Sequence, residues 1–198
     1  MNKKVFKNVI RKEKFILTVS ALLFTWLVFS GCAATPKSQE KIELNGMIYD
    51  TQNRPVVNYD IYIDGKYECT SDIGGRFLIK NIKTGEHDFY GTGAGYLNIQ
   101  EKISVRDKLQ IIYLRVSSVE TKFSEAYEFL KEGELNKAEE CVQEVLECYE
   151  ENIDALYFMC VINYLKGNKE EADNYFLKIK NKEGSGRYEK ELEKIIYN

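Results

Sequence analysis

Five cysteines and one histidine are the side chains of this 198-residue chain best equipped for covalent or metal chemistry. His87 stands between Glu86 and Asp88. A zinc site takes three or four ligands, and no second histidine exists to join it. Cys69, Cys141, Cys148 and Cys160 show no Cys-x-x-Cys spacing. Buried free thiols are therefore the expectation, with a Cys141–Cys160 bridge across neighbouring helices as the alternative. Cys–His nucleophilic catalysis requires Cys69 to meet His87, which the spacing does not signal. The run Gly91-Thr92-Gly93-Ala94-Gly95 lacks a following Lys-Ser/Thr and opens no helix, so it reads as a turn or loop rather than a phosphate cradle. No Gly-x-Ser-x-Gly elbow is present. The chain is expected to be no enzyme and to hold no metal and no cofactor.

Cys32 calls for different chemistry. Lys3, Lys4, Lys7, Arg11, Lys12 and Lys14 face a single acid, Glu13, and an uncharged run follows from Phe15 to Phe29. Ser30 and Gly31 then precede the cysteine. A basic head, a short apolar run and a small-residue stop form an export signal. The run is shorter than the roughly 20 residues of a spanning helix, which disfavours an uncleaved anchor. With the cysteine directly after it, the segment resembles a bacterial lipoprotein signal. The resemblance implies cleavage after residue 31, lipid on Cys32 and attachment to the membrane through that lipid. Ala33 is not the Asp that can mark inner-membrane retention in such families, so an outer-membrane or surface position in the cell envelope is expected where an outer membrane exists. Residues 32–41 read as a tether.

Charge divides the remainder unevenly. Residues 32–117 balance 11 basic against 11 acidic side chains, whereas residues 118–198 hold 11 basic and 19 acidic. An acidic half repels phosphate backbones, so nucleic acid is not an expected partner, and a basic protein is.

From Ile42 the hydrophobic period is two. Ile61 and Ile63 alternate with Tyr62 and Asp64, and Phe77 and Ile79 with Leu78 and Lys80. Turn residues interrupt at short intervals, which predicts a small β-sandwich. Gly46 to Asp50, Asn53-Arg54-Pro55-Val56, Ser71 to Phe77, Ile82 to Phe89 and Gly95-Tyr96 together resemble the carboxypeptidase regulatory-like domain, a transthyretin-like fold. The resemblance covers residues 42–117 and implies an antiparallel sandwich, with Ser71–Phe77 as a hairpin. Asp72 is expected to cap a turn; a calcium site there is the alternative. The tyrosines of this region, Tyr59, Tyr62, Tyr67, Tyr90 and Tyr96, offer a second function if they form an exposed coplanar patch able to hold a glycan or small ligand.

From Val119 the period moves toward 3.6. Gly133 and Gly167 lie 34 residues apart, and the same offset relates Ala126 to Cys160, Ala138 to Ala172 and Val142 to Phe176. The spacing predicts helices over 119–131, 136–149, 153–166 and 169–181, with a fifth over 187–197 sealed by Leu192, Ile195 and Ile196. Asn136, Asn152 and Asn168 stand where caps are useful. Residues 118–198 resemble about two tetratricopeptide repeats plus a capping helix. The resemblance implies a concave face that binds a protein segment, with Tyr127, Lys131, Tyr157 and Asn163 as candidate partner-binding residues. The expected class is therefore α+β in two domains, a lipid-anchored protein-interaction module.

Overall fold

A computed structural model describes residues 41–182 and 184–196; the expected signal, Cys32 and nearly all of the expected tether lie outside the described residues. The architecture is α+β, with seven strands in two sheets followed by five helices among the described residues. The strands are β1 (Lys41–Asp50), β2 (Asp60–Ile63), β3 (Lys66–Thr70), β4 (Arg76–Lys83), β5 (Gly85–Thr92), β6 (Ile99–Val105) and β7 (Ile111–Val116). One sheet runs β4-β1-β7 and the other β3-β2-β5-β6.

The alternation read from sequence sets the inner faces. Leu44, Ile48, Ile61, Ile79, Phe77 and Phe89 point inward and are 5% exposed or less. Each contributes about 1.5–3 kcal/mol through burial. Two features differ from the expectation. First, the sandwich is not wholly antiparallel: β7 pairs parallel with β1, from Asn45–Ile111 to Asp50–Val116. Second, Ser71–Phe77 is not a hairpin between paired strands. β3 and β4 belong to different sheets, and residues 71–75 form the corner between them. Asp72 does cap that corner, its carboxylate accepting the Gly74 and Arg76 N–H groups at 2.8 Å each. Gly75 turns there at φ 71°, beside the Ile48 carbonyl.

The helices are α1 (Val119–Glu132), α2 (Leu135–Cys148), α3 (Ile153–Lys166), α4 (Lys169–Lys180) and α5 (Gly186–Ile196). The α1/α2 and α3/α4 hairpins keep the 34-residue offset from Val119 to Ile153 and from Leu135 to Lys169. Gly133 and Gly167 close α1 and α3 in the left-handed region, at φ 78° and 80°. Asn152 caps α3 by accepting the Ala155 N–H at 2.9 Å. Asn136 lies inside α2, and Asn168 makes no side-chain cap. The cap of α1 is Ser118, which accepts the Thr121 N–H at 3.0 Å. α3 is apolar on most sides because α2, α4 and α5 all pack on it.

Strands and helices share a core. One buried cluster runs from Leu44 and Ile61 through Val116 to Ala126, Val142 and Met159. A second, around Leu156, Cys160, Phe176 and Leu192, seats α5. Polar contacts fix the junction. The Tyr149 hydroxyl lies 2.9 Å from the Gly93 carbonyl and 2.8 Å from that of Tyr96. The Val119 N–H donates to Gly95 O at 2.9 Å, and Leu97 N–H to Ser117 O at 2.9 Å. The expected boundary at Ser117 thus falls within a packed seam.

Candidate partner-binding surface

The four helical candidates separate on inspection. Tyr127 projects from α1 and is 56% exposed. The Lys131 ammonium sits over its ring, 5.4 Å from the centroid, and pairs with Glu128 at 2.9 Å. One turn of helix brings these two together, because positions four apart share a face. Tyr157 lies on α3 and packs its ring against Tyr188 of α5 at 5.5 Å and Phe158 at 6.3 Å. Tyr188 in turn donates to Asp154 at 2.5 Å. The expected face is therefore covered by α5 around Tyr157. Asn163 is buried at 4% exposure; its amide donates to Met159 O at 2.9 Å and accepts from Asn168 at 3.3 Å. It fixes the end of α3 rather than presenting itself to a partner. Between α1 and α3, Phe123 and Phe158 stack nearly parallel at 5.3 Å.

The accessible helical surface is acidic. Glu139, Glu140, Gln143, Glu144 and Glu147 line an open concavity on α2. Lys122 and Lys166 partly neutralise it, pairing with Glu144 at 2.9 Å and Glu139 at 2.5 Å. Burial opposes the charge on Lys122, yet Glu144 and Glu125 together raise its pKa above the ordinary value.

The sandwich offers a tyrosine cluster on the outer face of the β3-β2-β5-β6 sheet. Tyr62 meets Tyr67 and Tyr90 on the neighbouring strands, each at 5.6 Å, because all three occupy cross-strand positions. The Tyr62 ring stands edge-on to Tyr67 at 73° and tilted against Tyr90 at 56°, so the three form no flat platform. Tyr67 is further tied to Thr70 at 2.8 Å, and Thr70 to Asp60 at 2.6 Å.

The other chemistry-bearing residues are engaged in the fold. His87 places Nδ1 2.7 Å from Asp64 and Nε2 2.9 Å from the Lys83 carbonyl. Burial disfavours the imidazolium, but these two acceptors outweigh it and raise the pKa above the ordinary value. The His87 contact, with the Asp88 N–H, in turn holds Asp64 below the usual carboxylate range. The glycine-rich loop wraps Tyr59, whose ring is fully buried and so takes no part in the exposed tyrosine patch expected from the sequence. A Cβ at Gly91 or Gly93 would run into that ring. Its hydroxyl sits 2.9 and 2.7 Å from the Gly91 and Leu97 carbonyls and accepts the Ile99 N–H at 3.1 Å. Burial pushes this phenol well above its ordinary pKa. Cys69, Cys141, Cys148 and Cys160 are free thiols; burial pushes that of Cys160 up to about 11. Among the described residues, no group of three or more His, Cys, Asp or Glu side chains gathers to hold a metal. Among the same residues, no helix is long and apolar enough to cross a membrane.

No family model matches the chain, and no curated protein does. Partial likenesses exist among solved structures. A streptococcal ancillary pilin aligns with TM-score 0.34 and 13% identity, covering 40% of this chain and 30% of that one. A type II cohesin–X-dockerin complex from Acetivibrio cellulolyticus aligns with TM-score 0.32 and 19% identity, over 38% of this chain and 56% of that one. Catechol 1,2-dioxygenase from Acinetobacter sp. ADP1 aligns with TM-score 0.31 and 9% identity, over 43% of this chain and 55% of that one. In each case the chain spans less than two thirds of the structure it resembles.

Proposed function

We propose that this chain is a non-enzymatic, lipid-anchored protein of the bacterial cell envelope, whose helical half binds a basic segment of another protein. The sandwich and the helices follow the transthyretin-like and tetratricopeptide-like patterns, respectively. The observation that carries the reading is the surface left open by the two hairpins: Tyr127 exposed beneath Lys131, within a helical region of 19 acids and 11 bases. An exposed aromatic supplies contact area at little cost in side-chain entropy, and the surrounding acids steer and select a cationic partner. Lipid on Cys32 would hold the sandwich at the membrane and present the helices away from it. Glycan binding by Tyr62, Tyr67 and Tyr90 is disfavoured by the mutual tilt of their rings.

Two experiments test the two halves of the proposal. Palmitate labelling should mark the wild type and not Cys32→Ala; label retained on the variant would remove the anchor. A photoreactive residue at position 127 of the full lipoprotein should capture a protein from envelope membranes, and capture should fall with rising salt. Adducts formed only from position 67 would move the function to the sandwich.

A further inference from the structure

The two outer faces of the sandwich differ in charge. On the β4-β1-β7 sheet, strand alternation, with one break at Asn81 (φ 60°), directs Lys41, Arg76, Lys80, Lys83 and Arg115 outward against one acid, Glu43. On the β3-β2-β5-β6 sheet the outward set includes Asp60, Glu86 and Asp88, with Lys102 the cation beside Asp88. Lys41, Lys80 and Lys83 form no ion pair with any described residue, and Arg76 is partly offset by Asp72, whose carboxylate it helps hold below the usual range. Arg115 donates to Asn53 at 2.8 Å, a neutral partner.

The basic face also carries exposed aliphatic side chains, whereas the exposed rings of the other face are tyrosines, Tyr67 and Tyr90. Leu78 is 38% exposed, Ile111 48% and Tyr113 66%, and Leu109 at the tip of the loop before β7 is 83% exposed. In register, Leu78 and Ile111 flank Asn45, and Arg76 and Tyr113 flank Met47, so cations and apolar groups interleave across three strands. Exposed apolar side chains among unpaired cations match the two demands of an anionic bilayer surface, a headgroup layer and the acyl boundary beneath it.

Chain connectivity favours that occupant over another protein. This inference rests on the lipid anchor at Cys32. Eight residues, Ala33 to Glu40, separate that cysteine from Lys41, which opens the central strand of this same sheet. Fully extended they reach roughly 30 Å, about the length of β1 itself, so the sheet can lie down without straining the tether. The acidic helices leave from the opposite end of β7, where an anionic surface would repel them.

We infer that the outer face of the β4-β1-β7 sheet docks on anionic lipid, laying the sandwich on the membrane and turning the helices outward. Trp26 is the sole tryptophan. Cleavage after residue 31 removes Trp26, so the acylated chain carrying Tyr113→Trp, inserted in vesicles, reports on this face alone. In phosphatidylglycerol vesicles containing brominated lipid, its emission should be quenched, and neutral vesicles or high salt should relieve the quenching. Lys80→Gln should lower the docked-to-free ratio about fivefold. Tryptophan at position 127 instead should stay unquenched. A protein that floats with the vesicles but leaves position 113 unquenched would overturn docking while sparing the anchor. Equal quenching in neutral vesicles would overturn the choice of anionic lipid. A blue shift that grows with protein density, without quenching, would assign the face to a second copy. A protein that does not float at all would remove the anchor and the docking together.

Discussion

The sandwich and the helices are stabilised by different means. In the sandwich, polar side chains pin the loops, some of them across long stretches of chain. Tyr59 reaches 38 residues along the chain to Leu97 O, and His87 reaches back 23 residues to Asp64. Buried Asp50 holds its own loop, accepting Gln52 N–H at 2.9 Å, Arg54 N–H at 2.8 Å and Arg54 Nε at 2.6 Å. In the helices, the ends are closed locally, by caps three residues ahead and left-handed glycines, while longer ties such as Lys122–Glu144 and Tyr188–Asp154 join one helix to the next at the surface. Short strands leave loops whose polar groups must find distant partners, whereas a helix closes its own ladder and needs help only at its termini. Single substitutions in the sandwich should therefore act on the whole molecule, and those at helix ends should stay modest.

The largest effect should come from Tyr59→Ala, which empties the space enclosed by the Gly91–Gly95 loop and removes three hydrogen bonds. A loss of about 4 kcal/mol in denaturant unfolding is expected. A loss under 1 kcal/mol would show that the loop holds itself. Tyr149→Phe comes next. It leaves both halves intact and deletes the hydroxyl that ties α2 to the Gly93 and Tyr96 carbonyls. About 1 kcal/mol should be lost, and fluorescence and circular dichroism should begin to report separate transitions. Asn152→Ala should cost about 1 kcal/mol, and Asn136→Ala close to nothing, because only Asn152 caps. Equal costs would contradict the cap assignment.

The smallest effect is pH-dependent. The pKa of His87 is raised in the fold, so its contribution is present below its ordinary value of 6.5 and is lost as pH rises through the raised value. The pKa of Asp64 is lowered, so its contribution is present above 3.8 and is lost as pH falls through the lowered value. The stability difference between wild type and His87→Gln should therefore be greatest near about pH 5 and shrink toward about pH 9. Asp64 is over half exposed, which keeps the pair below about 1 kcal/mol. A difference independent of pH would mean that His87 acts through packing alone.

Much of the fold was legible because its signals are local. The helix ends fell within about one residue of expectation, since Gly133 and Gly167 can end a helix where few other residues can. Inward and outward residues of β1, β2 and the first half of β4 followed the period of two, which breaks at Lys80–Asn81. The parallel pairing of β7 with β1 left no local mark, because it joins segments more than 60 residues apart and no turn specifies it. The Ser118 cap did leave a signal, a serine directly before the helical period. Of the candidate residues, Tyr127 and Lys131 emerged exposed and in contact. Asn163 did not, because helical spacing alone cannot say that α4 and its Asn168 would close over that turn.

Cutting the chain near Ser117 to separate the halves would pass through their shared core, so point variants are the sharper tool. The most direct measurement is the affinity of the full lipoprotein for the protein captured from position 127. Tyr127→Ala with Glu128→Gln should weaken binding at least tenfold, leaving the melting temperature unchanged, whereas Tyr67→Ala with Tyr90→Ala should leave binding unaltered. Loss of binding with the second pair and not the first would contradict a helical docking surface.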